Sequence, residues 1–310
     1  MRSIHDVAAP AKLNLFLHVV GRRADGYHLL QSLFVLIDWC DTLHLELRAD
    51  GRLTRHDLGP PLPADDLCLR AARLLQAQSG TSLGADISIA KRIPSGAGMG
   101  GGSSDAASTL LALNRLWGLN WPRARLLTLG LTLGADVPFF IGGRNSIVEG
   151  IGERLTPAPV PRQWLAVVKP AASIETRAIF ASPRLVRDSE AATLESFAAN
   201  AKDWAEQIVL QPGFGRNDLQ AAAEAECAQV LDAAALLDRQ FGNSRMTGSG
   251  SAVFARAGSG TEPSALMSKE MSKEMSKETS TNMPGELPAG WIGRMCRSLN
   301  DHPLVGWAAD

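Results

Sequence analysis

Apolar and polar residues alternate at a strand's period twice near the front of the chain. In residues 7–20, VAAPAKLNLFLHVV, Leu13, Leu15 and Leu17 share one face, and Lys12, Asn14, Phe16 and His18 the other. Residues 29–38 form an apolar run fit for a buried strand, and residues 43–48 alternate as a half-exposed one. The period then changes. Leu67, Ala71, Leu74 and Leu75 make a helical stripe over 65–78, and Ala107, Leu110, Leu111 and Leu113 another over 106–116, which Gly118 ends. Between them residues 85–90 alternate again as a strand. A further helix is expected over 122–133. Residues 134–140, GADVPFF, set Asp136 between a helix end and what reads as an apolar strand, with Pro138 fixing the backbone.

Pro157, Pro159 and Pro161 mark a boundary, which predicts one domain over 1–160 and a second over 161–310. The second half begins with a strand at 164–168 and a short helix through Ile174, Thr176 and Phe180. Alanine-rich helices follow over 190–210 and 217–241, then a glycine turn feeding a strand at 246–255 and a last strand at 291–298. A tandem Met-Ser-Lys-Glu repeat from Met267 to Glu278 sits in a low-complexity insertion near 259–285, which is not expected to carry chemistry.

Composition narrows the classes. The 310 residues are 45% hydrophobic and 20% charged, with a net charge of −1, so nothing draws the whole chain to nucleic acid or an anionic membrane. Cys40, Cys68, Cys227 and Cys296 form no C-x-x-C pair and read as reduced residues. No apolar run is long enough to span a bilayer, and the first residues lack the order of a signal peptide. A cytoplasmic protein is expected, with the partners being small molecules and the assembly a monomer or homodimer. Any phosphate binding must be local.

That locality is supplied by residues 91–114, KRIPSGAGMGGGSSDAASTLLALN, a glycine-rich loop between a strand and a helix. Gly96, Gly98, Gly100, Gly101 and Gly102 let the backbone turn with positive φ and keep side chains away from a ligand. The helix start offers free N–H groups and the positive end of its dipole, with Ser103 or Ser104 as the expected cap. Together these make a phosphate site. Gly96, Gly98 and Gly101 match a dinucleotide loop, but no Asp or Glu lies between Asp105 and Asp136 to take the ribose. Gly96 and Gly101 have the spacing of a nucleoside-triphosphatase loop, yet Gly102-Ser103 stands where Lys-Ser/Thr is required. A protein kinase would also carry H-R-D and D-F-G, and neither is present. Read from the residues alone, Lys12 and Asn14 either point into a cleft or lie on a solvated face. Tyr27 and His28, closing the turn-rich loop 21–28, either stack on a planar ring or pack at a boundary.

Four stretches in order, PAKLNLFL with RADGYH, KRIPSGAGMGGGSSDAASTL, GADVPFF and MTGSGSAVFA, resemble the GHMP small-molecule kinases. The resemblance covers nearly the whole chain outside the insertion. It implies an α+β fold: an N-terminal domain like domain 2 of ribosomal protein S5 and a ferredoxin-like C-terminal domain. It implies ATP as co-substrate, Mg²⁺, and transfer of a phosphoryl group to an alcohol. The D-G-Y-H element narrows this to the branch that phosphorylates the 2-hydroxyl of a diphosphocytidyl methylerythritol on the non-mevalonate route to isoprenoids. By the same resemblance Lys12 and Asp136 are the catalytic pair. Pro94, Ser95, Gly96, Ala97, Gly98, Met99, Gly100, Gly101, Gly102, Ser103 and Ser104 cradle ATP, and Gly248 to Ser251 close round them. Asn14, Tyr27, His28, Thr176 and Phe180 hold the cytidyl sugar alcohol; the protein's metal ligands stay open. Met99 replaces the usual Leu, and Asp66 stands near the adenine where relatives often carry Asn. A kinase of another small alcohol and an inactive nucleotide-sensing member are the competing expectations. Tyr27 and His28 speak against the first, and the retained Lys12 and Asp136 against the second.

Overall fold

The computed structural model describes residues 1–191, 216–259, 262–263, 283 and 286–310. Two sheets frame it. The first holds β1 (Ser3–Arg22), β2 (His28–Arg48), β3 (Leu53–Asp57), β4 (Gly84–Ala90), β5 (Ser146–Gly150) and β6 (Arg154–Pro157). Strand β2 is antiparallel to β1, β4 and β5, while β3 joins β4 in parallel. The second sheet is antiparallel and holds β7 (Gln163–Lys169), β8 (Arg245–Met246), β9 (Val253–Ser259), β10 (Glu262–Pro263) and β11 (Ile292–Arg297).

Three apolar layers explain the order of elements. Helices α1 (Leu67–Ser79), α2 (Gly101–Leu116), α3 (Arg123–Leu131) and α4 (Val137–Gly142) pack on one face of the first sheet through Leu75, Leu110, Leu113, Leu126 and Phe140. Its other face meets the second sheet, with Leu13, Leu33, Val35 and Ile37 against Leu165, Val167 and Phe254. The second sheet's far face is covered by α5 (Thr176–Ala181), α6 (Gln220–Glu226) and α7 (Ala228–Phe241) through Ile179, Ala222, Ala233 and Leu237. The fold is α+β. With both faces of the first sheet covered, β1 is buried almost continuously from Ala9 to Val19.

Several elements differ from their sequence expectations. A register shift between Asn14 and Leu17 breaks the alternation of β1. Phe16 therefore leaves the face of Lys12 and joins Leu13 and Leu15 in the core between the sheets. The two strands expected over 29–38 and 43–48 are one, and the buried Asp41 at their junction accepts from the Arg92 and Ile93 amides. Residues 137–142 are a helix, not a strand. A short apolar run does not distinguish the two, and Pro138, lacking an N–H, costs nothing in a first turn. The helix expected over 217–241 breaks at the extended Cys227. Beyond residue 191, the helix expected over 190–210 lies outside the described residues, as does the repeat at 267–278. Among the described residues no helix is long and apolar enough to cross a membrane.

Candidate active site

Strand β4 hands the chain to residues 91–100, and α2 begins at Gly101. The expected cap at Ser103 or Ser104 is corrected here. Gly100, in the left-handed region at φ 71°, is the N-cap, and the Ser104 amide donates to its carbonyl at 2.9 Å. A left-handed glycine turns the chain straight into the helix, so both serines fall in its first turn. Gly96, Gly98 and Gly100 all have positive φ and alternate with Ala97 and Met99, whose side chains are buried. Backbone rather than side chain therefore faces the cleft, an arrangement that gathers amides round an anion. The amides of Gly101, Gly102 and Ser103 have no acceptor within the helix. Pro94 and Ser95 lead into the loop, half-buried and exposed respectively.

A second glycine segment seals this loop. A Cβ on Gly98 would stand 2.2 Å from the Thr247 carbonyl oxygen, and one on Gly248 2.7 Å from that of Gly98. Only glycine permits the approach. The Ser251 and Ala252 amides donate to the Gly96 and Ala97 carbonyls at 3.1 and 3.2 Å. The buried Asn217 amide nitrogen donates to the Met246 and Gly248 carbonyls, each at 2.8 Å, holding the second segment in place.

Lys12 reaches this corner from β1. Its backbone amide donates to the Met99 carbonyl at 3.0 Å, and its ammonium is buried. Burial pushes the Lys12 pKa down, and the charge of Asp136 offsets part of that. Three neighbours make the buried charge tolerable: Asn14 Oδ1 accepts from Nζ at 2.6 Å, the Phe34 ring centre lies 4.4 Å away, and Asp136 Oδ2 lies at 3.7 Å. Asn14 Nδ2 donates to Ser32 Oγ at 2.9 Å, and Thr247 Oγ1 donates to Asn14 Oδ1 at 3.2 Å, which fixes the side chain between the two sheets. Asp136 occupies the N-cap position of α4 but makes no capping bond there, since its backbone is helical. Its carboxylate is left to face Lys12 and stays one-third exposed.

Lys12, Asn14, Asp136, Gly96, Gly98, Gly100 and Gly248 line one cleft of about 260 Å³. It shares Leu30, Ile151, Thr176 and Phe180 with an adjoining pocket of about 770 Å³ that Tyr27 and His28 also line. His28 lies on Phe180 itself, with ring centres 5.0 Å apart and 26° between planes, while Tyr27 is 62% exposed at the rim. Thr176 Oγ1 and Ser249 Oγ are 2.7 Å apart, so Thr176 joins the wall of the adjoining pocket to the second glycine segment.

The sequence profile of the GHMP kinases N terminal domain matches residues 66–144. The 4-diphosphocytidyl-2-C-methyl-D-erythritol kinase of Methylibium petroleiphilum is 60% identical over 308 residues, covering 99% of each chain. The crystal structure of a 4-(cytidine 5'-diphospho)-2C-methyl-D-erythritol kinase superposes with a TM-score of 0.71 at 31% identity, covering 93% of this chain and 98% of that one. The chain belongs to the GHMP kinase family. Homoserine kinase from Cytophaga hutchinsonii, at 17% identity and a TM-score of 0.64 over 97% of this chain and 96% of its own, shares the fold. As a GHMP kinase the protein is an ATP-dependent phosphotransferase.

This GHMP kinase also holds its glycine loop with residues that sequence reasoning passed over. Lys91 bonds both Asp41 and Asp105, and all three lie at the foot of the loop, Asp41 and Asp105 fully withdrawn from solvent. Two carboxylates share one ammonium. Asp41 also accepts from two backbone amides, whereas Asp105 Oδ1 has no partner. Burial, with the Asp41 charge beside it, raises the Asp105 pKa well above the ordinary carboxylate range. Ser32, Phe34, Thr247 and Asn217 were likewise missed, since their roles arise from contacts up to 233 residues apart. Asp66 stands at the head of α1. It caps α1, accepting from the Leu69 amide at 3.1 Å, and pairs with Arg55 at 2.7 Å.

Proposed function

We propose that this kinase transfers the γ-phosphoryl group of ATP to the 2-hydroxyl of 4-diphosphocytidyl-2-C-methyl-D-erythritol, on the non-mevalonate route to isoprenoid precursors. One observation carries the reading: Lys12 and Asp136 share a cleft with the phosphate-loop glycines, and that cleft runs into a pocket walled by Tyr27, His28 and Phe180. An aromatic pocket suits a pyrimidine; mevalonate and homoserine have no ring to place there.

Transfer needs an in-line hydroxyl, a neutralised triphosphate and a proton acceptor. The amides of residues 96–103 hold the phosphates at the head of α2. Asp136 accepts the proton as the hydroxyl oxygen attacks phosphorus, and the bond to the bridging oxygen breaks to leave ADP. Lys12 favours the developing alkoxide. Asn14, fixed by Ser32 and Thr247, orients the alcohol and the ammonium together. The oxygen donors at the cleft would suit a magnesium ion brought in with ATP. Asp136 at the cleft and the buried, unpartnered Ser104 Oγ are the protein oxygens on offer. When bound, the ion neutralises triphosphate charge.

The change from the first sheet to the second between β6 and β7 supports a domain boundary near residue 160. The experiment is a coupled assay of ADP release with the cytidyl methylerythritol substrate, mevalonate and homoserine side by side. Turnover confined to the first is expected. Equal turnover of mevalonate would remove the cytidyl reading and leave the kinase.

A further inference from the structure

Arg187 lies six residues beyond α5, in a segment to which no role attaches so far. All three nitrogens of its guanidinium donate hydrogen bonds. Nη2 donates to the Phe180 and Ser182 carbonyls at 3.1 and 2.9 Å, Nη1 to the Leu185 carbonyl at 3.0 Å, and Nε to His28 Nε2 at 3.2 Å. The first two acceptors lie at the C-terminal end of α5, where a cation is favoured by the helix dipole.

The His28 contact carries chemical information. A guanidinium has only donors and stays charged. The nitrogen facing it must therefore be the acceptor, so His28 is neutral and its proton sits on Nδ1. Burial, then the charges of Arg187 and Arg22, push the His28 pKa down, in agreement. The remaining ionisable neighbours lining the pocket are Asp25, Tyr27 and Arg177. Among the described residues no group takes the Nδ1 proton. The same guanidinium holds the carbonyl of Phe180, the ring on which His28 is stacked. One side chain thus sets both the tautomer of the imidazole and the position of its stacking partner.

We infer that Arg187 is a positioning residue for the base pocket: it locks His28 as an Nδ1–H donor, so that the pocket presents a fixed donor to an acceptor on the edge of a pyrimidine. This rests on the reading of the Tyr27–His28–Phe180 pocket as the cytidyl site. O2 accepts in both bases, but N3 accepts in cytosine and carries a proton in uracil. A donor fixed opposite N3 discriminates between them, and a histidine free to exchange tautomers does not.

The test uses the full chain labelled with ¹⁵N at histidine, with the His28 signals assigned through His28→Gln. Nitrogen–proton correlation reads the tautomer directly, without any ligand. The wild type is expected to show Nδ1 protonated and Nε2 bare from pH 6 to 8. Arg187→Met, which keeps the apolar stem, should move His28 to the Nε2–H form and let it titrate at higher pH; Arg187→Leu, which likewise removes donors and charge, serves if the Met variant fails to fold. Calorimetry with CDP and UDP follows. Arg187→Met should weaken CDP about tenfold, the scale of one hydrogen bond, and narrow the preference over UDP, while the KM for ATP holds. A wild-type His28 protonated on Nε2, or a variant that leaves the tautomer unchanged, overturns the inference. A tautomer that shifts as expected while CDP affinity is indifferent both to Arg187→Met and to His28→Gln overturns it too, and in that case the fault lies with the pocket assignment.

Discussion

The Lys12 ammonium stands 3.7 Å from an Asp136 oxygen yet gives its short hydrogen bond, 2.6 Å, to Asn14. The two charges attract across that gap, while the carboxylate keeps an oxygen for another donor. That is the geometry a proton acceptor needs beside an alcohol. A structural ion pair would close on itself, with a partly exposed carboxylate having little reason to stay open toward a cleft.

Asp136→Asn keeps the shape and removes the proton acceptor. Turnover should fall by roughly 10²–10⁴-fold, the range for a general base, with nucleotide affinity retained. Steady-state kinetics beside ATP calorimetry separate the two, and full turnover in the variant would remove Asp136 from the mechanism.

The role proposed for Lys12 is that of an ammonium, and burial lowers its pKa below the ordinary 10.5. The charged form is present below that lowered value and is lost as pH rises through it. The alkaline limb of kcat/KM should accordingly fall below 10.5. Lys12→Arg, charged at every accessible pH, should lose the limb while turning over more slowly. An unchanged limb in that variant assigns it to another group.

Gly98→Ala meets two obstacles at once, a left-handed φ of 71° and the Thr247 carbonyl 2.2 Å from the new carbon. The conformation alone costs about 1–2 kcal/mol. A lower melting temperature with a raised KM for ATP is expected. Gly142→Ala, whose Cβ would meet nothing within 4 Å and whose φ is not positive, is the control and should leave both near the wild-type values.

Asp105 has a folded pKa raised above its unfolded 3.8. The folded chain therefore holds a proton that the unfolded chain releases. The stability this contributes is complete below 3.8 and is lost as pH climbs through the raised value. Asp105→Asn, which cannot titrate, should flatten the decline of melting temperature with rising pH. A parallel decline in wild type and variant would place the proton elsewhere.

Phe180→Ala should weaken the cytidyl substrate well beyond ATP, because Phe180 carries the His28 ring. Tyr27→Ala should follow it with a smaller effect, since Tyr27 stands at the rim. Equal weakening of ATP and the cytidyl substrate would displace the base pocket from this wall.

Local pattern made the glycine loop, the strand before it and the helix after it legible, because each rests on neighbours in the chain. The bulge after Asn14 was not, since one inserted residue is set by pairing with β2 rather than by the alternation of β1. The helix at 137–142 was hidden by a run too short to show its period. Lys12 and Asp136 entered through resemblance, their spacing of more than a hundred residues being silent. Asp41, Lys91 and Asp105 were invisible for a like reason. Nothing local tells a buried acid from a solvated one until its partner is folded against it.

The carbonyls of Gly96, Ala97 and Gly98 are held by residues 247–252, more than two-thirds of the way along the chain. During synthesis the nucleotide site therefore stays unfinished until that late segment has left the ribosome. A nascent chain that already carries every loop glycine, Lys12 and Asp136 still lacks the segment that seals the loop.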